Sequence, residues 1–119
     1  MRRTRLILAA VAAFALSGVA AWYGLDQGLT DEADLPIGTV MVQLGAYDSP
    51  AEARAAWDGI QSQAAALVEG HPMILIEVRS PQRRYYRLRL TGFDTLATAR
   101  TLCEGLVTQE LSCIPVTLR

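Results

Sequence analysis

The sequence predicts an α+β domain, a four-stranded antiparallel sheet with two helices on one face, preceded by one N-terminal transmembrane helix. Three observations predict it. The chain repeats itself at an offset of 46 residues. Each copy runs from an alternating strand through a turn into an amphipathic helix. The apolar excess, in a chain of 119 residues that is 51% apolar, is gathered at the front instead of being spread through the domain.

The front comes first. Leu6 to Leu25 is a run of 20 residues without a charge; as a helix it spans about 30 Å, the thickness of one bilayer core. Arg2, Arg3 and Arg5 precede the run and Asp26, Asp31, Glu32 and Asp34 follow it, an asymmetry that keeps the N-terminus in the cytoplasm and exports the rest. Trp22 and Tyr23 stand at the outer end, where amphipathic rings settle at headgroups. A cleaved signal peptide is the rival reading, with Leu6–Leu16 as its apolar region and Val19-Ala20-Ala21 as a small-residue cleavage site. Residues 1–5 are then a basic tip and 6–25 the anchor. Residues 26–38, acidic and without apolar period, read as a linker, and 39–119 as the domain.

Composition removes several function classes. The net charge is −1, and all 11 basic side chains are Arg, which argues against a nucleic-acid binder. Two Cys and one His leave no zinc site and no multi-His metal centre. No Ser/His/acid set, phosphate loop or paired-carboxylate cleft is visible, so neither an enzyme nor a cofactor is expected.

The repeat sets Val42–Ile60 against Leu88–Leu106, with Asp48/Asp94, Ala51/Ala97, Ala53/Ala99, Arg54/Arg100 and Gly59/Gly105 identical. Ser49-Pro50-Ala51-Glu52 is a capping box with Pro at the first helical position. Ala53, Ala56, Trp57, Ile60, Ala64 and Leu67 then share one face, and Gly70 and Pro72 end the helix. In the second copy Asp94 or Thr95 caps, and Ala99, Leu102, Cys103 and Leu106 form the stripe. Met73–Arg79 and Cys113–Leu118 are apolar runs of strand length, and Ser80–Arg83 is a hairpin loop. The order β1-α1-β2-β3-α2-β4 is the split βαβ, ferredoxin-like arrangement.

Alternation assigns faces. Val40, Val42 and Leu44 point inward, Met41 and Gln43 outward. Tyr86, Leu88 and Leu90 point inward, and Tyr85, Arg87 and Arg89 share the open face with Gln43. In Met73–Arg79 the inward set is read as Ile74, Ile76 and Val78, with Leu75, Glu77 and Arg79 outward. The parity of the last strand stays open because Pro115 interrupts it.

Val42-Gln43-Leu44-Gly45-Ala46-Tyr47 with its Ala-rich helix, and Tyr86-Arg87-Leu88-Arg89-Leu90-Thr91-Gly92-Phe93 with the second helix, resemble a SPOR domain over Thr39 to Leu118. The resemblance implies a ferredoxin-like fold that binds septal peptidoglycan, preferring glycan strands stripped of stem peptides. It also implies an inner-membrane, single-pass protein with its domain in the periplasm and possible cell-division proteins as partners. Signal cleavage would instead release it to the periplasm. Carried over by position, the glycan contacts are Gln43, Ala46, Tyr85, Arg87 and Ile114. Ala46 stands where a Ser is frequent, Tyr85 where Trp is common, and Thr91-Gly92 where Gly-Pro is usual. The chemistry agrees: Gln43 donates and accepts, Arg87 offers a planar fork to a lactyl carboxylate, and Tyr85 stacks on a sugar or acetyl group. An envelope scaffold module of this fold with weak glycan binding is the alternative. Cys103 on the inner face of the second helix and Cys113 at the start of the last strand are expected to form a disulfide, since an exported domain permits oxidation.

Overall fold

Two hydroxyls 46 residues apart in the repeat start the two long helices. The computed structural model describes residues 28–119; the basic tip at 1–5 and the membrane segment expected at 6–25 lie outside the described residues. After a 3-10 turn at Glu32–Asp34 come β1 (Val40–Tyr47), α1 (Pro50–Val68), β2 (Met73–Arg79), β3 (Arg84–Leu90), α2 (Leu96–Thr108) and β4 (Ile114–Thr117). Ser49 Oγ accepts from Glu52 N, and Thr95 Oγ1 accepts from Thr98 N, each satisfying one orphan amide of a first turn. Glu52 returns the favour one residue early, its carboxylate accepting from Asp48 N at 3.2 Å. The strands lie in the order β2-β3-β1-β4 and all three pairings are antiparallel, as the split βαβ order requires.

The duplication shows as symmetry. Gln43 accepts from Arg89, and Gln63 Nε2 donates to the Gln109 carbonyl, both pairs being 46 residues apart. Contacts between repeat-equivalent residues must lie near a pseudo-twofold axis, which therefore passes through the centre of the sheet and between the helices. The core joins Val42, Leu44, Leu75, Leu88 and Leu90 of the sheet to Ala53, Ile60, Ala64 and Val68 of α1 and Ala99, Leu102, Cys103 and Leu106 of α2. Trp57, Leu67 and Phe93 pack against its margin. His71 stacks on Phe93 with centroids 4.3 Å apart, a structural use of the chain's one histidine.

Cys103 and Cys113 are joined, with Cα atoms 5.1 Å apart. The chain turn that brings them together follows α2. Glu110 takes φ 62, its N–H reaches Val107 O, and Leu111 N–H reaches Leu106 O. That double bond closes the helix as a Schellman motif and reverses the chain into β4.

Two expectations are corrected. In β2 the inward residues are Met73 and Leu75, not Ile74, Ile76 and Val78. Leu75 faces Leu88 and Met73 faces Leu90 across the β2–β3 ladder, and partners across a ladder share a face. Met73–Ile76 is apolar at every position, so alternation carries no phase there; the two-residue turn Pro81-Gln82, closed by Ser80 N donating to Arg83 O at 2.8 Å, sets the register. Glu77 consequently lies on the helix side near the hairpin, where Arg79 and Arg84 both reach its carboxylate at 2.7 and 3.0 Å and Arg79 foremost holds it below the usual carboxylate pKa.

The second correction concerns the segment 26–38, read from the sequence as a linker; its residues 28–38, the part within the described residues, contact the sheet. Thr30 N donates to Leu75 O beside β2, Glu32 reaches Arg89 over β3 at 3.6 Å, and Gly38 N donates to Leu118 O beyond β4. The segment is a strap crossing the sheet from edge to edge on the face opposite the helices. Met41, Ile76 and Arg89 point to that face and are only 0%, 1% and 4% exposed.

Candidate functional site

The sheet face away from the helices is built from every second residue of each strand, with one irregularity that matters. Gln43 and Ala46 are three apart, so a regular strand would place them on opposite faces. Gln43 pairs with Arg89, yet Gly45 pairs with Leu88 and Ala46 with Arg87. Leu44 is the extra residue of a β-bulge, which turns Ala46 onto the face of Gln43. Gly45 makes room at this spot: a Cβ there would sit 2.7 Å from the Tyr47 hydroxyl and 3.0 Å from its ring, so any larger residue would push the Tyr47 ring aside.

β4 settles its own parity by pairing: Ile114 lies opposite Gln43, and Pro115 opposite the core residue Val42. The five residues carried over from the resemblance therefore occupy one face. Ile114, Gln43 and Arg89 form one row across β4, β1 and β3; Ala46 and Arg87 form the next; Tyr85 stands beyond, opposite Val78 of β2. Ile114 is 58% exposed, a large aliphatic side chain held out of the core. The face is shallow and broad, with an apolar knob at the β4 end and a cationic aromatic cluster at the β3 end.

That cluster is internally organised. Arg87 Nη2 donates to the Tyr85 hydroxyl at 3.2 Å. The guanidinium carbons of Arg83 and Arg87 lie 4.9 and 5.6 Å from the centre of the Tyr85 ring, within cation–π range. Arg83 is also tied to Asp48 at 3.0 Å. The two guanidinia gather at the ring, so donors and π density share one patch of the face. Gln43 is oriented as well, since Arg89 Nε donates to its side-chain carbonyl at 3.1 Å. The amide nitrogen is thereby aimed away from Arg89 as a donor.

Arg89 was placed on this face by alternation, but its burial and its partners were not foreseen. Burial is the main cause that pulls its guanidinium below the usual arginine pKa; Glu32 opposes the shift and Arg87 adds to it. Also unforeseen were the apolar side chains of β2, Ile76 and Val78, facing Arg87 and Tyr85 across the ladder. The only sequence signal for the bulge is Gly45 inside an alternating strand, which often marks one. Among the described residues no three His, Cys, Asp or Glu side chains gather as a metal site. The arrangement can hold a flat, hydroxyl- and amide-rich ligand that carries negative charge.

A search of curated proteins finds no match. One solved structure that matches is the solution structure of the peptidoglycan binding domain of the B. subtilis cell wall lytic enzyme CwlC. It is 22% identical, with 71% of this chain and 95% of that chain covered and a TM-score of 0.48. The SPOR domain profile matches residues 36–117. That span takes in all four strands, both long helices and the five residues gathered on the open face, and the chain belongs to the SPOR domain family.

Proposed function

We propose that this protein is a non-catalytic peptidoglycan-binding module of the bacterial cell envelope, directed to glycan strands stripped of stem peptides at the division site. Gln43, Ala46, Tyr85, Arg87 and Ile114 are the contacts. The observation that carries the reading is the bulge at Leu44–Gly45, which brings Gln43 and Ala46 to the same face as Arg87 and Tyr85. A glycan strand presents hydroxyls, acetamido groups, apolar C–H faces and, once denuded, lactyl carboxylates. The face answers with an amide donor, a guanidinium, an aromatic ring and an aliphatic side chain. Ala46 supplies no hydroxyl, so its part is to let the strand come close to the backbone. Residues 6–25 act as an inner-membrane anchor that leaves the domain in the periplasm.

The test is co-sedimentation of the full-length protein with purified sacculi, before and after treatment with an amidase that removes stem peptides. Retention that rises with amidase treatment and falls with Arg87→Ala supports the reading. Retention indifferent to both overturns it in favour of a scaffold module.

A further inference from the structure

Among the described residues, one buried side-chain nitrogen or oxygen lacks a hydrogen-bond partner: Arg89 Nη1. The side chain is 5% exposed, and the nearest charge is Glu32 Oε1 at 3.6 Å, too far for a hydrogen bond. A buried guanidinium left short of acceptors is costly, so the position calls for a better partner than the one it has. Arg89 lies in the same row as Gln43 and Ile114 and next to the row of Arg87 and Ala46. It therefore continues the proposed glycan face under the strap.

The strap is pinned at its ends, by the Leu29–Leu75 bridge with Leu29 against the core and by the Gly38 amide on Leu118, and is looser in its middle. No residue of its 3-10 turn is buried, and the Glu32 side chain is 38% exposed. Asp31 and Asp34 are exposed carboxylates on either side of Glu32. A shallow groove of about 440 Å³ opens between it and the Glu77–Arg79 end of β2, lined by Leu29, Thr30, Asp31, Glu32, Glu77 and Arg79, so past its attachment at Leu75 the strap leaves β2 uncovered.

We infer that residues 28–38 are an internal pseudo-ligand. The Glu32 carboxylate occupies the place of a sugar carboxylate, and Arg89 is a second anion subsite that opens when the strap lifts. The inference rests on the glycan reading for the identity of the ligand, a carboxylate-bearing sugar of a denuded strand. It does not rest on that reading for the latch. Closed, the strap masks part of the face and lowers the apparent affinity by the fraction of molecules that are open. Open, it exposes Arg89 with its free Nη1, and Met41 and Ile76 as an apolar floor.

The experiment uses the full-length protein and two variants, Glu32→Gln and Glu32→Gln/Arg89→Met. Amide exchange is read at Thr30 and Gly38, whose N–H groups hold the strap to Leu75 and Leu118, and affinity is read on amidase-treated sacculi. Glu32→Gln is expected to speed exchange at both amides and to bind about tenfold tighter. In the parent, both amides should lose protection when sacculi bind. The double variant, neutral at both positions, should lose the gain. Unchanged exchange in Glu32→Gln, or protection retained in the bound parent, overturns the latch. A gain that persists without Arg89 overturns the subsite, since the strap is then a steric cover alone. If neither parent nor variant sediments with sacculi, the glycan reading is what fails, and exchange in Glu32→Gln alone decides the latch.

Discussion

Gln43→Glu separates folding from binding. In the parent, the side-chain carbonyl of Gln43 accepts from the buried Arg89 Nε at 3.1 Å, and its amide nitrogen remains to donate to a ligand. Glutamate keeps the acceptor and makes it anionic, at the same reach from a guanidinium whose Nη1 has an ion pair with Glu32 but no hydrogen bond. A hydrogen bond to a charged group contributes about 1.5–3 kcal/mol, and pairing a charged donor with a charged acceptor strengthens it further. Gln43 is half-buried, so desolvating the new carboxylate takes back part of that gain. The expected change in folding stability is a rise of about 0–1 kcal/mol, read from urea denaturation. Binding should move the other way. The outward donor is lost, at about 1 kcal/mol, and a negative charge now faces an anionic strand, so affinity for amidase-treated sacculi should fall at least about tenfold. Gln43→Leu supplies the contrast: it orphans Arg89 Nε as well and should cost about 1–3 kcal/mol of stability. If Gln43→Glu is destabilised by more than about 1 kcal/mol, Arg89 is not its partner. If its sacculus binding equals the parent's, Gln43 is not a contact.

Arg87→Ala removes both the fork and the hydrogen bond that fixes Tyr85; sacculus binding should weaken and become less sensitive to salt, because exposed charge contacts are screened within about 8 Å at physiological ionic strength. Cys103 and Cys113 close a loop with a separation of 10 residues, and their replacement by Ser should lower stability by about 2–3 kcal/mol in the chain-entropy model. Mass spectrometry of envelope-purified protein alkylated without reductant checks the bridge itself: two alkylated thiols would contradict it.

The parts of the fold that were readable in the sequence are those with a period or a cap. Ser49 and Thr95 announce two helix starts 46 residues apart, and the stripes of Ala53–Ile60–Ala64 and Ala99–Leu102–Cys103–Leu106 announce which faces go inward. All seven of these stripe residues are buried. β3 was readable because Tyr85, Arg87 and Arg89 alternate with Tyr86, Leu88 and Leu90. β2 was not, because Met73–Ile76 offers an apolar side chain to both faces and both faces take one. Its far face is apolar because Ile76 lies beneath cover, and that cover comes from another part of the chain. The strap was hidden for a related reason. Its attachments are backbone hydrogen bonds at two sheet edges and one ion pair, none of which leaves a pattern in Asp31–Gly38. All five candidate contacts came from the resemblance; alternation independently placed Gln43, Tyr85 and Arg87 on the open face but gave them no role. For Ala46 and Ile114 alternation gave not even the face, and it is the bulge and the β1–β4 register that place them beside the others.

The strap also changes what the chain can reach. Read as a linker, residues 26–38 would let the domain range roughly 45 Å from the membrane. With residues 28–38 laid across the sheet, only Asp26 and Gln27 lie in sequence between Leu25 and the strap, a reach of about 10 Å at most. If residues 6–25 stay in the membrane, a closed strap holds the proposed glycan face close to the bilayer, and the lifting inferred above would return about 35–40 Å of tether. Site opening and reach then become one event. A flexible Gly/Ser insert after Gln27 tests the coupling by fluorescence localisation in dividing cells. In the parent the insert should sharpen septal localisation, because it supplies reach without requiring the strap to lift. In Glu32→Gln it should add little, because the strap is already free. An equal improvement in both proteins would show that reach and opening are independent. No improvement in either, with septal localisation intact, would show that the wall is met within the short tether. A mature chain that begins at Trp22 by mass spectrometry would remove the membrane altogether, and the strap would then act on affinity alone.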